Sequence, residues 1–542
     1  MNAHFRPAPR RLRIAVIGSG ISGASAAWAL CQVHDVTLYE SQARAGGHTA
    51  TVDVDYDGVQ IAVDTGFIVY NEQNYPNLTA LFAELGIATH ASDMSFSLSL
   101  DRGRLEWSGG GLSSIFAQKR NLLRPSFLWM IREILRFNRT CLEDRTAGHL
   151  ASRSIGDYLD WRGFSPGFTN NYLVPMAAAI WSTPSARMLQ FPAEQFVNFF
   201  DNHRLIYRRQ HQWRTVTGGS RTYLDRLLRP LGERVKLSCD TRGVNRSERG
   251  VAIIYETGGE HPFDKVIFAC HSDQTARLLV DATDRESRLF AAIPYQPNRV
   301  VLHRDQTLMP QRRKVWASWN YLRSSREGGN ADVAVTYWMN RLQGIDEKFP
   351  LFVTLNPDRE PDPRKVFAEF TYEHPQFSAE AMAAQRALVT IQGQNNCYFA
   401  GAWTGTDSTR MVSFPVWRRR PLAGSYPGGL SEPPGSLNRM RRHDTARRKT
   451  WHERGSQRCP TGCCSRALCR RDHAPTDEAV RPSLPLPCLL AVCRSRQAGR
   501  GWPAIDVIFR QRAQSRLVPG KGPRRNQKYV AAHLCRRAAR RG

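Results

Sequence analysis

The chain has 542 residues, 41% of them apolar, and a formal charge of +28. No run of 18 apolar residues occurs, so no membrane-spanning helix is predicted. The charge alone would suggest a nucleic acid or an anionic membrane, but it is concentrated in the C-terminal part: residues 405–542 hold 30 Lys and Arg against 8 Asp and Glu, the first 404 residues 46 against 40. Seven of the twelve cysteines also fall in that tail, and the other five (31, 141, 239, 270 and 397) are scattered, which suits a reducing compartment. Residues 1–11 contain three arginines with no apolar signal core behind them, so the start reads as cytoplasmic rather than as an export signal.

The first element is Arg13-Ile-Ala-Val-Ile-Gly18-Ser-Gly20-Ile-Ser-Gly23-Ala24. A buried-strand signal precedes three glycines at GxGxxG spacing, and an Ala-rich helix follows to Leu30. Gly18 permits the tight turn, Gly20 the approach of a pyrophosphate, and Gly23 close packing of helix on sheet. The helix N-terminus then holds phosphate charge. Ser22 sits inside this fingerprint and is counted with the glycines. A second strand, Val36–Tyr39, ends on Glu40, at the distance where an acid reads adenosine ribose hydroxyls. These elements in this order predict a dinucleotide site.

Further along, Pro76–Gly86 is an amphipathic helix with a glycine stop, and Met94–Leu105 alternates like strands. Ser113–Leu142 reads as one or two helices with Pro125 as the break. Its stretch from Lys119 to Phe137 is basic, aromatic and amphipathic. A core helix with arginines on its wet face is the preferred reading, and a helix lying on an anionic membrane the alternative. Residues 154–200 continue helical. A Gly218-Gly219 turn precedes a helix at Tyr223–Leu231 and a strand at Arg234–Leu237. Val251–Tyr255 and Lys265–Cys270 are strands, followed by a helix to Leu279. Trp316, Trp319, Tyr321, Tyr337 and Trp338 lie on alternating strands, and can wall an apolar pocket or simply fill a sheet core. Phe370–Pro375 reads as a turn into a helix at 379–391. No Ser-His-Asp or metal-ligand spacing stands out.

After Glu40 comes Ser-Gln-Ala-Arg44-Ala-Gly46-Gly47-His48, and later Asp64-Thr-Gly66-Phe67-Ile68 and Cys397-Tyr-Phe-Ala-Gly401-Ala-Trp-Thr-Gly405. Together with the fingerprint, these resemble the flavoenzymes of the amine oxidase, protoporphyrinogen oxidase and phytoene desaturase superfamily. Within it, the chain most resembles predicted bacterial flavin/NAD-binding oxidoreductases found beside cyclopropane-fatty-acid-synthase-like genes. The resemblance covers residues 13–405. It implies FAD as cofactor. Arg44, Gly46 and Gly47 would wrap its adenosine-phosphate side, Gly66 and Phe67 pass near the isoalloxazine ring, Val244 offers backbone to adenine, and Gly401 carries the last binding element. Where the superfamily has an acid after that glycine, this chain has Ala402. The implied activity is hydride removal from a C–N or C–C bond, on a small-molecule or lipid substrate (an acyl lipid or isoprenoid in preference to a small amine). No residue matches a catalytic motif. A flavin-binding assembly factor without catalysis is the other reading.

The expected fold is α/β: a Rossmann-like FAD-binding domain (1–75, 210–280 and 392–405) interleaved with an α+β substrate domain (76–209 and 281–391). The tail, 406–542, reads as a segment without a fold. Back-translated from Gly405 with each codon started one base earlier, it permits Tyr-Gly-Phe-His-Glu-Asp-Gly-Leu, close to what the family has there, so a change of reading frame is expected. The competing readings are a basic arm for RNA or membrane and a zinc cluster from Cys459, Cys463, Cys464, Cys469 and His473, whose 4-1-5 cysteine spacing does not match zinc pairs. No nucleic-acid partner and no metal are expected, peripheral membrane contact is left open, and the oligomeric state is not legible.

Overall fold

A computed structural model describes residues 10–255, 258–324 and 334–405. The tail expectations, the frame change and the cysteine cluster among them, lie outside the described residues.

The strand Arg13–Ile17 buries four consecutive residues, because it is covered on both faces. It is the middle of a five-stranded parallel sheet in the order Val235–Lys236, Asp35–Tyr39, Arg13–Ile17, Lys265–Phe268, Cys397–Phe399. Segments from the start, middle and end of the described chain thus meet in one sheet. The helix Ile21–Leu30 packs on it through Ala26 and Ala27, both buried. Small residues let the helix sit close.

A second, seven-stranded sheet is mixed, in the order Val366–Pro375, Tyr295–His303, Phe352–Leu355, Ala334–Trp338, Trp319–Arg323, Phe96–Leu100, Leu105–Ser108. Phe370–Pro375, expected as a turn, is instead the end of a ten-residue strand paired along its length with Tyr295–His303. An Arg299–Glu369 ion pair at 2.8 Å and an Asn298–His374 contact at 3.0 Å cross between the two strands. Pro297 is tolerated because strand Phe352–Leu355 joins only from Val300 onward, leaving Pro297 a single neighbour. Pro125 is the break between helical segments and starts the longest of them: it occupies the first turn of Pro125–Thr146, where its missing N–H costs nothing. Short helices at Leu112–Ile115 and Lys119–Leu123 precede it. Pro125–Thr146 packs with Ile155–Trp161, Val174–Trp181 and Ala193–Asn202 around Phe137, Tyr158, Phe168, Phe196 and Phe200. Ser154 caps Ile155–Trp161 in a capping box with Asp157. The fold is therefore α/β, with a parallel nucleotide-type sheet interleaved in sequence with a mixed sheet and its helical layer.

Candidate active site

At the C-terminal end of the parallel sheet, Gly18 has φ +99°, and a Cβ there would lie 2.8 Å from the backbone of Ala269. A Cβ on Gly23 would lie 1.9 Å from the Gly18 carbonyl oxygen, so only glycine lets the helix pack. Gly20 differs. It is the N-cap of Ile21–Leu30, and a Cβ built on it meets nothing within 4 Å. Gly47 faces the same space, with a Cβ position 3.5 Å from the Gly20 Cα. Ser22, in the first turn, is buried. The result is a cradle at a helix N-terminus that a side chain on Gly20 would enter, and whose first amides have no intrahelical acceptor.

Glu40 is fixed beside the cradle. Its Oε2 accepts from the Ser19 amide at 3.0 Å and from the Ser19 hydroxyl; its Oε1 accepts from the Gln42 amide at 3.0 Å. The Gly46 amide donates to Ser19 Oγ at 2.9 Å, tying in the Gly46-Gly47 loop. Arg44 closes that loop upon itself, donating to the carbonyls of Ala45, Gly47 and Thr49 at 3.0, 2.8 and 3.1 Å. The turn at Gly66 docks against the loop: a Cβ on Gly66 would sit 2.2 Å from the His48 carbonyl oxygen, and the Phe67 amide donates to that oxygen at 2.8 Å. Asp64, just before, accepts from the Ser220 amide at 2.8 Å and from Thr51 Oγ1 at 2.6 Å, and burial raises its carboxyl above the usual range. Gly401 has φ +137° and packs against the Trp403 indole, whose Nε1 donates to the Cys270 carbonyl at 2.9 Å.

Val244 packs in one buried cluster with Ile17 and Tyr39, the residues just before Gly18 and Glu40. It is fully buried in Thr241–Ser247, with Ile253 as its antiparallel register partner and Leu279 bridging its other side. Thr241, three residues earlier, has a buried hydroxyl without a partner among the described residues, and lies just past Cys239, whose amide donates to the Glu40 carbonyl at 2.9 Å. The sequence reading missed Thr241 because nothing in the spacing sets it apart from its neighbours.

Beyond Gly66 opens a cavity of about 280 Å³. Phe67, Ile68, Trp181, Phe199, Trp319, Tyr337 and Tyr372 form much of its wall, with Ala402 and Gly405 at the Gly401 end. Trp319 and Tyr337 meet edge to face at 5.0 Å. Trp181 and Phe199 come from helices that carry no sequence signal beyond core periodicity. No Asp, Glu, Lys or Arg lines the cavity among the described residues. Its titratable side chains include His48 and His374, with rings 5.2 Å apart. Burial, aided by neighbouring histidines, pushes His48 down to about 3 and His374 to about 4, so both are neutral. The tautomer of His374 follows from a chain of amides. The Arg299 amide donates to Asn356 Oδ1, Asn356 Nδ2 to Asn298 Oδ1, and Asn298 Nδ2 to the Gln296 carbonyl. Asn298 Nδ2 also lies 3.0 Å from His374 Nδ1, which must accept, leaving the proton on Nε2. The indole N–H groups of Trp213 and Trp319 and His48 Nε2 are buried without partners among the described residues.

A cradle at a glycine N-cap that only a bare backbone leaves open, a fixed ribose-type acid and a second glycine loop against the first fit the pyrophosphate and adenosine of a dinucleotide. The adjoining wall of aromatic rings fits a flat ring system. Residues 21–360 match the family described as flavin containing amine oxidoreductase. No curated protein matches the sequence. Among solved structures, a putrescine oxidase bound to putrescine is 14% identical with a TM-score of 0.52, covering 75% of this chain and 97% of its own. A cyclohexylamine oxidase from Brevibacterium oxydans IH-35A is 15% identical at 0.53, covering 74% and 95%. A fatty acid isomerase from P. acnes, described as producing CLA, is 16% identical at 0.50, covering 74% and 96%. These likenesses speak to fold, and the family match to membership: the chain belongs to the flavin containing amine oxidoreductase family and is an FAD-dependent oxidoreductase.

Proposed function

We propose that this enzyme removes a hydride from a C–C bond of an elongated apolar substrate, an acyl lipid or an isoprenoid, and not from the C–N bond of a small cationic amine. The observation that carries this is the cavity wall, which is apolar and aromatic with neutral His48 and His374 and, among the described residues, no carboxylate. A protonated amine entering it would lose its hydration with no anion to replace it, a cost of several kcal/mol. A hydrocarbon segment gains by the same transfer, at about 25 cal/mol per Å².

In this reading Gly18, Gly20, Ser22, Gly23, Glu40, Arg44, Gly46 and Gly47 form the nucleotide side. Glu40 takes the ribose hydroxyls, the cradle at Gly20 takes the pyrophosphate, and Arg44 keeps the Gly46-Gly47 loop in shape. Gly66, Phe67 and Gly401 border the ring end. Bound FAD supplies the hydride acceptor. The protein's own part is to orient the chain between Trp319, Tyr337 and Tyr372 and to exclude water. Residues 1–75, 210–280 and 392–405 are assigned to the FAD-binding part, and 76–209 and 281–391 to the substrate part. The fatty acid isomerase supports a lipid reading by its description alone; the putrescine and cyclohexylamine oxidases pull the other way.

The test is anaerobic mixing of the flavin-loaded protein with long-chain acyl or isoprenoid compounds, or with putrescine or cyclohexylamine. Bleaching of the flavin by the apolar compounds supports the proposal. Bleaching by the amines alone overturns it, and no bleaching by any of them favours an assembly factor.

A further inference from the structure

Exposed apolar side chains are not scattered over the described surface. Of thirteen large ones, six fall between residues 112 and 135: Leu112, Leu122, Leu123, Leu128, Trp129 and Leu135. Leu112 is 76% exposed, Leu123 86% and Leu135 68%, so these are full projections and not the edges of core residues.

The helix Pro125–Thr146 explains how. Its buried stripe runs Phe127, Met130, Glu133, Phe137, Cys141, Asp144, at helical spacing. The opposite stripe carries Leu128, Arg132, Leu135 and Arg139, with Trp129 at its flank, all exposed. A helix on a wet surface needs one apolar stripe; this one has two. The second is laced with cations. The Arg132 guanidinium lies over the Trp129 ring at 4.7 Å. Within 112–139 there are six Lys and Arg and a single acid, Glu133. Glu133 is buried and accepts from the Ser165 amide at 2.9 Å and from its hydroxyl. Among the described residues no ion pair engages Lys119, Arg120, Arg124, Arg132, Arg136 or Arg139. Arg120, Arg124 and Arg136 are instead held by backbone carbonyls, of residues 103–104 and 162–163, which fixes their positions without cancelling their charge.

We propose that the surface from Leu112 to Arg139 docks this enzyme on an anionic lipid bilayer. Leucines and a tryptophan that project among fixed cations match the two layers of such a surface: hydrocarbon below, headgroup phosphate above. The arginine stems can lie along apolar surface while their heads stay with phosphate. A second copy of the chain is a poor occupant, because it would set six unpaired cations against six more. The helix packs on Ala193–Asn202, whose Phe199 lines the cavity, so docking would bring a lipid surface to the layer that roofs it. The docking surface holds whatever the enzyme oxidises, because it stands on exposure and charge alone.

The test uses the full flavin-loaded chain in vesicle flotation, with phosphatidylglycerol–phosphatidylcholine vesicles against pure phosphatidylcholine, and a double variant Leu128→Glu/Leu135→Glu. Both proteins carry the same basic residues 406–542, so any binding through those is common to both. The wild-type chain is expected to float with the anionic vesicles, and the double variant to bind them at least about tenfold more weakly at equal flavin content. Equal binding by the two proteins overturns the proposal. In vesicles of brominated lipid, tryptophan quenching should be smaller for Trp129→Phe than for the wild-type chain, and equal quenching overturns it as well. Self-association without lipid that the double variant abolishes would also overturn it, assigning the surface to a second copy.

Discussion

At the nucleotide end, Gly18, Gly20, Gly23 and Glu40 lie within 23 residues of one another in sequence. The cavity beside them draws its wall from positions as distant as His48, Trp181, Trp319, His374 and Gly405. The first region is built from backbone: glycine contacts, amides on a carboxylate, a guanidinium on carbonyls. The second is built from side chains, chiefly aromatic rings and two neutral histidines. Backbone geometry is a local property, written in spacing. A side-chain wall is made only when distant segments meet. The two regions should therefore fail in different ways.

The largest expected effect is at the backbone side. Gly23→Ala puts a methyl 1.9 Å from the Gly18 carbonyl oxygen, between helix and strand, where neither can yield cheaply. We expect a loss of about 3 kcal/mol, at the upper end for overpacking, and loss of bound flavin with it. Chemical denaturation of the apoprotein measures the first and flavin absorbance the second. A fully stable, yellow Gly23→Ala protein would mean that the close contact is not built as described.

A smaller effect per residue separates the side-chain region. His48, His374 and His303 are buried, and held at about 3, 4 and 4. Their folded values lie below the unfolded value near 6.5, so the unfolded chain takes up more protons between the two. Stability is full above about pH 6.5, falls as pH drops through it, and levels off only below about pH 3, the lowest of the three values. The slope is at most about 1.4 kcal/mol per pH unit for each histidine. Denaturation at pH 7.5 and pH 5 measures it, and His374→Gln should flatten the slope. A stability that does not change between these pH values would mean that the cavity histidines are charged or exposed.

The same contrast explains what was legible in the sequence. The strand, helix and strand around the fingerprint stand within a residue or two of expectation, because a buried parallel strand and a glycine turn leave strong local signals. The parallel sheet was legible too, since superfamily motifs mark its members at 13, 265 and 397. Phe370–Pro375 misled, because a proline after an aromatic run resembles a turn, whereas its partner Tyr295–His303 lies about 70 residues away in the chain. Val244 was named by resemblance alone, since a buried valine in a strand carries no local signal of a nearby nucleotide. Trp181 and Phe199 gave no warning, since a residue at core spacing looks the same whether it meets another side chain or a cavity. The outer stripe of Pro125–Thr146 was visible as composition, but only the structure distinguishes it from the buried one.

The central claim is that Gly20 opens onto the cofactor and not onto protein. Gly20→Ala tests it most directly, because its new methyl meets nothing within 4 Å. We measure apoprotein stability and FAD affinity on the same preparation. The expected result is stability within about 0.5 kcal/mol of the wild-type chain and FAD binding weaker by roughly tenfold or more, since a methyl in the cradle displaces the pyrophosphate. Unchanged FAD affinity at unchanged stability would contradict the account and move the nucleotide site away from this helix.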